Sequence, residues 1–165
     1  MIIRPFASED LPVLLAVNTQ ALPAVNQIDA AEMRWLTDNA LATLVAESPR
    51  GIAGFMIALG PGLDYDSDNY RWFSPRYPRF SYVDRVVVAD GFRGAGVGEA
   101  LYGELARLSE GRAPVILCEV NERPPNPGSL RFHQRLGFRI VGRQETEGGK
   151  KQVALMEKTL DSFRP

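Results

Sequence analysis

The apolar residues of this chain follow two spacings, and the changes between them predict its secondary structure. Runs that are β-branched or that alternate between apolar and polar residues predict strands, whereas apolar residues three to four apart predict helices. The predicted strands cover residues 1–6, 42–47, 52–59, 80–88, 114–120, 138–144 and 152–160. Helices are predicted to begin near Ser8 or Asp10, at Asp29, at Val97 and at Pro127.

These elements follow one another in the order β-α-α-β-β-β-α-β-α-β-β, which predicts an α/β fold built on a mixed sheet. A helix lies between the strands at 80–88 and 114–120, so we expect this pair to be parallel. Turn residues at 48–51 and 147–150 instead predict antiparallel hairpins. The chain of 165 residues is long enough to bury one core, and we predict a single domain over residues 1–165.

Composition and charge exclude several classes of function. The 19 basic and 20 acidic residues give a net charge of −1 and are interspersed, which predicts no binding to nucleic acid or to an anionic membrane. The longest apolar run, residues 51–60, is far shorter than the roughly 20 residues of a membrane span, and no secretory signal is visible. One cysteine, Cys118, excludes an internal disulfide and a cysteine-based zinc site. We therefore expect a cytoplasmic protein that binds no metal.

A strand passes into a helix through a glycine-rich turn at residues 86–101, VVVADGFRGAGVGEAL. The alternate glycines of Gly94–Gly98 let the backbone approach a ligand, and the free N–H groups of the new helix favour an anion, most naturally a phosphate. A nucleotide-binding P-loop would need Lys and Ser or Thr where Glu99 and Ala100 stand. A dinucleotide fingerprint would need its third glycine at Glu99, although Glu119 lies about where a ribose-binding acid is expected.

The spacing R-x-x-G-x-G, formed by Arg93, Gly96 and Gly98 after a strand, resembles the acyl-CoA loop of the GCN5-related N-acetyltransferase (GNAT) superfamily. A second stretch at residues 126–138, NPGSLRFHQRLGF, resembles that family's pattern N-x-x-A/S-x-x-F-Y-x-x-x-G-F. The two motifs stand in the order, and on the elements, that the family shows. One position departs from the pattern, because His133 stands where the family usually has tyrosine.

The resemblance implies a fold, a co-substrate and a set of contacts. The strands that carry the glycine turn and Cys118 would splay apart, with the pantetheine arm of acetyl-CoA in the gap. Its amides would contact the backbone of Val86, Val87 and Val88. The pyrophosphate would lie on the turn, at Arg93, Gly94, Ala95, Gly96, Val97 and Gly98. The second motif would line the other side of the cofactor through Asn126, Ser129 and Phe132. Asn126 also fits a helix N-cap and Phe132 the apolar core, so both have structural interpretations.

Transfer of an acyl group to an amine requires a base, because an amine attacks a thioester only when it is neutral. At pH 7 the loss of the amine's proton costs about 4 to 5 kcal/mol for a lysine-like amine and about 1 kcal/mol for an α-amine. Asp84 is the predicted base, since it lies two residues before Val86 and on the same strand face. An ion pair with a neighbouring arginine is the alternative for Asp84, and Glu119 is the reserve base.

The departing thiolate needs a proton, and His133 occupies the position from which tyrosine usually provides it. An unperturbed imidazolium has a pKa of about 6.5, so its acid form fades where a phenol is still protonated. We expect activity that depends on His133 to fall from mildly acidic pH upward, unless a carboxylate raises its pKa. The alternative is that this sole histidine only packs on its helix.

Residues 60–79 form a predicted loop that is too long for a simple connection and too aromatic for disorder. It looks like a lid or wall over the acceptor site, and a homodimer contact is the alternative. The aromatic residues are Tyr65, Tyr70, Trp72, Phe73 and Tyr77. Acidic and basic residues both occur in this loop, which suits an acceptor with an amine or with both an amine and a carboxylate.

The sequence therefore predicts an acyl-CoA-dependent N-acetyltransferase that acts directly on the amine of a small molecule or amino-acid-like acceptor. A second hypothesis is a non-catalytic acyl-CoA-binding sensor, motivated by the missing tyrosine. A third, a dinucleotide-dependent oxidoreductase using Glu119, is disfavoured by the broken glycine spacing.

Overall fold

The predicted strands and helices are present in the computed structural model of the chain, which describes residues 1–160. The strands are β1 (Ile2–Pro5), β2 (Ala42–Ser48), β3 (Gly51–Leu59), β4 (Ser81–Val88), β5 (Val115–Arg123), β6 (Arg139–Thr146) and β7 (Lys151–Thr159). The helices are α1 (Leu11–Gln20), α2 (Ala30–Asn39), α3 (Asp68–Phe73), α4 (Val97–Ser109) and α5 (Pro127–Arg135). The last five residues of the predicted domain, 161–165, lie outside the described residues.

The strands form a mixed sheet with the order β1-β2-β3-β4-β5-β7-β6, which confirms the predicted fold class. β2 and β3 are antiparallel, as the turn between them predicts. β4 and β5 are parallel, with Ser81 opposite Ile116 and Tyr82 opposite Leu117, as the intervening helix predicts. β7 is antiparallel to both β5 and β6, so the predicted closing hairpin is also confirmed.

The described chain divides into two compact units, and the division falls within β4. The first comprises Met1–Leu59 and Val83–Leu108, and the second comprises Gly60–Tyr82 and the described residues from Ser109 onwards. Fully buried apolar side chains occur in both, for example Phe55 in the first and Phe73 in the second. The interpretation of residues 1–165 as one domain stays a prediction.

Side chains at the helix starts cap α2 and α5 but not α1. Asp29 accepts the N–H of Glu32 at 2.8 Å and the Glu32 carboxylate accepts the N–H of Asp29 at 3.3 Å, which is a capping box at the predicted start of α2. Asn126 caps α5 by accepting the N–H of Ser129 at 3.4 Å. Asp10 differs: its carboxylate accepts the N–H of Ala7 and pairs with a nearby arginine rather than capping α1.

The predicted loop at residues 60–79 contains a short helix, α3, that the sequence analysis did not predict. Ser67 caps it by accepting the N–H of Tyr70 at 3.2 Å. Tyr70 and Phe73, three residues apart, bury one face of the helix. Six residues give fewer than two turns, so the apolar spacing is too short to indicate a helix.

No helix within residues 1–160 combines the length and the apolar character needed to cross a membrane. Within the same residues, no three or more His, Cys, Asp and Glu side chains are grouped so that they could hold a metal ion.

Candidate active site

The β4–α4 turn, residues 89–96, lies in the first unit and owes its shape to glycine. Gly91, Gly94 and Gly96 have φ angles of +84°, +77° and +80°, which other residues rarely adopt. A Cβ at Gly94 or Gly96 would contact nothing within 4 Å, so these glycines serve the backbone conformation rather than close packing. The N–H of Ala100 donates to the carbonyl of Gly96 at 3.0 Å, so α4 begins directly after the turn. The first N–H groups of α4 have no acceptor within the helix, and they suit a phosphate.

The side chains near this turn divide into exposed and buried groups. Arg93 is 68% exposed, and its Nη2 lies 3.8 Å from Oδ1 of Asp90. This loose surface pair leaves the guanidinium accessible to an anion. Val97 is buried, so its side chain packs in the interior rather than toward solvent. The pyrophosphate contacts predicted for residues 93–98 are compatible with this geometry and stay predictions.

Successive residues of β4 direct their backbone N–H and C=O groups to opposite edges of the strand just before the turn. A Cβ on Gly54 of β3 would lie 2.5 Å from the carbonyl oxygen of Val87. The N–H of Ala89 donates to the carbonyl of Ala53, also on β3, at 2.8 Å. Val87 and Ala89 therefore direct backbone groups toward β3, and by strand alternation Val86 and Val88 direct theirs to the opposite edge. Of the three predicted pantetheine contacts, those of Val86 and Val88 fit this arrangement best.

Asp84 forms a buried ion pair with Arg85, the alternative that the sequence left open. Nε of Arg85 donates to Oδ2 of Asp84 at 2.8 Å, and the two side chains are 3% and 4% exposed respectively. Arg85 also donates to Oδ1 of Asn18 at 3.0 Å, to Oδ1 of Asn26 at 2.8 Å and to the carbonyl of Asn26 at 3.2 Å. This network, which sequence analysis missed, attaches the segment between α1 and α2 to β4.

Glu119 extends from β5 in the second unit and accepts hydrogen bonds from a tyrosine that sequence analysis did not select. The hydroxyl of Tyr82 lies 2.8 Å and 3.0 Å from the two carboxylate oxygens. Tyr82 is 1% exposed, and its ring packs against Tyr70 and Phe73 of α3 at centroid distances of 5.6 Å and 5.8 Å. Tyr82 shares a predicted strand face with Asp84, which is the one sequence signal that could have indicated it.

The predicted residues of the second motif lie along α5, also in the second unit. Asn126 uses its side-chain oxygen as the helix cap, and its N–H donates to the carbonyl of Asn121 at 3.1 Å. The hydroxyl of Ser129 lies 3.3 Å from Nδ1 of His133, one helical turn further on. Phe132 is partly buried and meets the ring of His133 edge-on. The structural role foreseen for Asn126 is therefore present, and its ligand role stays a prediction.

His133 is buried and held by its own helix. Its Nδ1 lies 2.8 Å from the carbonyl oxygen of Ser129, which requires Nδ1 to carry the proton and donate it. Burial lowers the pKa of His133 below its ordinary value, and the hydrogen bond to Ser129 opposes that shift. The lowered pKa favours the neutral ring, in which Nδ1 carries the proton and Nε2 does not.

Comparison with known proteins identifies the family. The sequence profile of the acetyltransferase (GNAT) family matches residues 14–138. The chain belongs to this family. This GNAT protein is an N-acetyltransferase, and members of its family take acetyl-CoA and an amine acceptor.

Two solved structures and one curated protein illustrate what this GNAT chain is similar to. It is 23% identical over 162 residues to the peptidyl-lysine N-acetyltransferase YjaB of Escherichia coli K12, covering 93% of this chain and 92% of that protein. Its fold matches NAA60 of Arabidopsis thaliana, solved with a bisubstrate analogue, with a TM-score of 0.77, 19% identity and 98% coverage of both chains. It also matches a ribosomal-protein-alanine N-acetyltransferase of Brucella melitensis with a TM-score of 0.70 and 24% identity, over 97% of this chain and 100% of the other. The family assignment favours the enzyme over the sensor and the oxidoreductase.

Proposed function

We propose that this protein transfers the acetyl group of acetyl-CoA directly to the amine of a small molecule or amino-acid-like acceptor, with Glu119 as the base. The observation that carries the proposal is the contact between the Glu119 carboxylate and the neutral Tyr82 phenol. The amine nitrogen attacks the thioester carbonyl carbon and gives up a proton. The carbon–sulfur bond breaks, and the thiolate takes a proton.

Glu119 is the better candidate because of its hydrogen-bond partner. The Tyr82 phenol can hydrogen-bond the carboxylate in either of its protonation states, so Glu119 can accept a proton and keep this hydrogen bond. Asp84 would have to accept its proton within a buried pair with Arg85, and this would leave the guanidinium without its counter-charge. Asp84 remains the alternative base.

His133 remains the predicted source of the proton for the thiolate, provided that its ring is protonated. Only the imidazolium can donate from Nε2, and burial makes this form scarce at pH 7. If His133 is the acid, activity falls as the pH rises through mildly acidic values, and a His133→Phe variant loses that dependence. A profile unchanged by this substitution would remove His133 from catalysis.

The first experiment measures thermal unfolding with CoA, acetyl-CoA, NAD and ATP in parallel. A ligand at about 100 times its Kd should add roughly 2.7 kcal/mol of stability, which raises Tm by several degrees. We expect stabilisation by CoA and acetyl-CoA alone. Stabilisation by NAD but not CoA would contradict the proposed co-substrate.

The second experiment follows acetyl-CoA-dependent release of free thiol with a panel of amines. We expect amino-acid-like α-amines to react faster than lysine-like side-chain amines at pH 7, because more of the α-amine is neutral. Failure of every free amine, with thiol released in the presence of peptides, would overturn the small-molecule part of the proposal.

A peptidyl amine is the second candidate acceptor. It is favoured by the name of the curated E. coli relative, a peptidyl-lysine N-acetyltransferase. Peptides with a lysine and a blocked N-terminus, compared with peptides that have a free N-terminus and no lysine, separate the two kinds of peptidyl amine.

A further inference from the structure

The segment between β3 and β4, residues 60–79, is part of the second unit and includes α3. We call it the β3–β4 insertion. Oδ1 of Asn69 accepts a hydrogen bond from Nε2 of Gln144 on β6 at 3.1 Å. The hydroxyl of Tyr70 donates to the carbonyl of Gly60 at 2.7 Å and accepts the N–H of Leu63 at 3.1 Å. These contacts join the insertion to β6 and link its own residues to one another.

The indole of Trp72 lies against Gly142 of β6, where a side chain would otherwise stand. A Cβ at Gly142 would lie 2.5 Å from Cζ2 and 2.9 Å from Cη2 of the indole, closer than real Cβ atoms approach. The Arg76 guanidinium carbon lies 3.9 Å from the centroid of the indole, a cation–π contact that restrains the ring. Gly142 does not have a positive φ, so the need for glycine here is the space that the indole occupies.

The same helix supports the candidate base. Phe73 follows Trp72 directly and meets it edge-on at 5.3 Å between centroids. Phe73 and Tyr70 pack against the ring of Tyr82, and the hydroxyl of Tyr82 holds both oxygens of Glu119. A continuous series of packed rings therefore leads from Gly142 to the carboxylate, all within the second unit.

We propose that Trp72, seated on Gly142, is a positioning residue for Glu119. The insertion is then a fixed support whose helix α3 sets the angle of Tyr82, and with it the angle of the carboxylate. The inference rests on the proposed role of Glu119 as base. It gives a positioning role to Trp72, which the sequence places in a predicted lid or wall over the acceptor site, and to Gly142, which the sequence does not single out.

The test uses Gly142→Ala, which adds one methyl group where the indole lies. Because catalysis is sensitive to displacements of about 1 Å, we expect kcat to fall by about tenfold to a hundredfold, with the KM for acetyl-CoA unchanged. In a Glu119→Gln background the same substitution should have no further effect on kcat, because it acts through that carboxylate. In a Trp72→Ala background it should also have no further effect, because the methyl group then has room.

Gly103→Ala is the matched control, since a Cβ at this position of α4 would contact nothing within 4 Å. We expect it to keep the wild-type kcat. Should Gly142→Ala fail to fold, Trp72→Ala carries the test, because removing the indole frees α3 and should lower kcat by a similar factor.

A Gly142→Ala variant with the kcat of Gly103→Ala would overturn the inference. So would a loss of kcat of the same size in the presence and absence of Glu119. If Glu119→Gln itself keeps full activity, the proposed base is wrong and the positioning role falls with it. Failure of the positioning role and failure of the proposed base are distinguishable, because only failure of the base leaves the single Glu119→Gln variant fully active.

Discussion

Two carboxylates, one in each unit of this acetyltransferase, show how a hydrogen-bond partner decides what the same chemical group can do. Asp84 on β4 is paired with the Arg85 guanidinium in a buried network that includes Asn18 and Asn26. Both carboxylate oxygens of Glu119 on β5 lie within hydrogen-bond distance of the Tyr82 hydroxyl. The first carboxylate neutralises a buried cation and fixes a chain segment, whereas the second is oriented by a neutral donor.

The difference teaches that burial and position on a strand are insufficient to choose a base. Both carboxylates lie on central strands, and each was a candidate on sequence grounds. A buried ion pair stabilises the fold only while both partners are charged, since the loss of either charge leaves the other uncompensated. A carboxylate held by a phenol can change its protonation state without that consequence.

The largest expected effect is that of Glu119→Gln, which removes the proposed base and keeps the size of the side chain. General-base catalysis typically contributes about 10²- to 10⁴-fold, so we expect kcat to fall within that range. Acetyl-CoA should still raise Tm, which shows that the variant folds and binds. A kcat within a few-fold of the wild type would mean that Glu119 is not the base, and the functional difference between the two carboxylates would then be unsupported.

Asp84→Asn should affect stability more than catalysis. It leaves Arg85 buried without its counter-charge, and we expect the free energy of unfolding in urea to fall by about 3–5 kcal/mol. The folded fraction should keep kcat within about tenfold of the wild type. The control is Asp66→Asn, whose pair with Arg71 is exposed and should contribute less than about 1 kcal/mol. A stable but inactive Asp84 variant would make Asp84 the base.

Tyr82→Phe sharpens the comparison by removing the neutral donor from Glu119. Hydrogen bonds to charged groups contribute about 1.5–3 kcal/mol, and we expect the loss of orientation to lower kcat by about tenfold. Tyr102→Phe, at a buried tyrosine of α4, is the control for loss of a hydroxyl and should keep kcat. Equal activity of the two variants would show that the phenol does not orient the base.

The smallest effect concerns His133, whose titration has to be separated from that of the carboxylates in any pH profile. Its pKa is lowered in the folded state, so below about pH 6.5 the unfolded chain binds the proton more readily. Stability should therefore fall as the pH falls through about 6.5, with a slope of at most about 1.4 kcal/mol per pH unit. Urea unfolding at several pH values should show this slope in the wild type and less of it in His133→Phe. Identical slopes would show that His133 does not titrate in this way.

Local features of the sequence determined the family and most of the fold. The R-x-x-G-x-G turn and the capping box at Asp29 depend on residues within a few positions of each other, so their spacing alone carries the prediction. Strand and helix periodicity likewise located the strands and the longer helices. Helix α3 was missed because a six-residue helix has no sustained period, and Ser67 and the two buried rings were its only local signs.

Tertiary structure alone decided which groups meet. Glu119 and Tyr82 are 37 residues apart, and Arg85 and Asn26 are 59 residues apart, so strand register and helix packing bring each pair together. The same holds for the indole of Trp72 on Gly142, where a missing side chain on one strand makes room for a ring from a distant helix. The sequence alone shows two carboxylates on adjacent strands. Their partners differ because hydrogen bonds and packing act through space, and these partners distinguish a structural anchor from a candidate base.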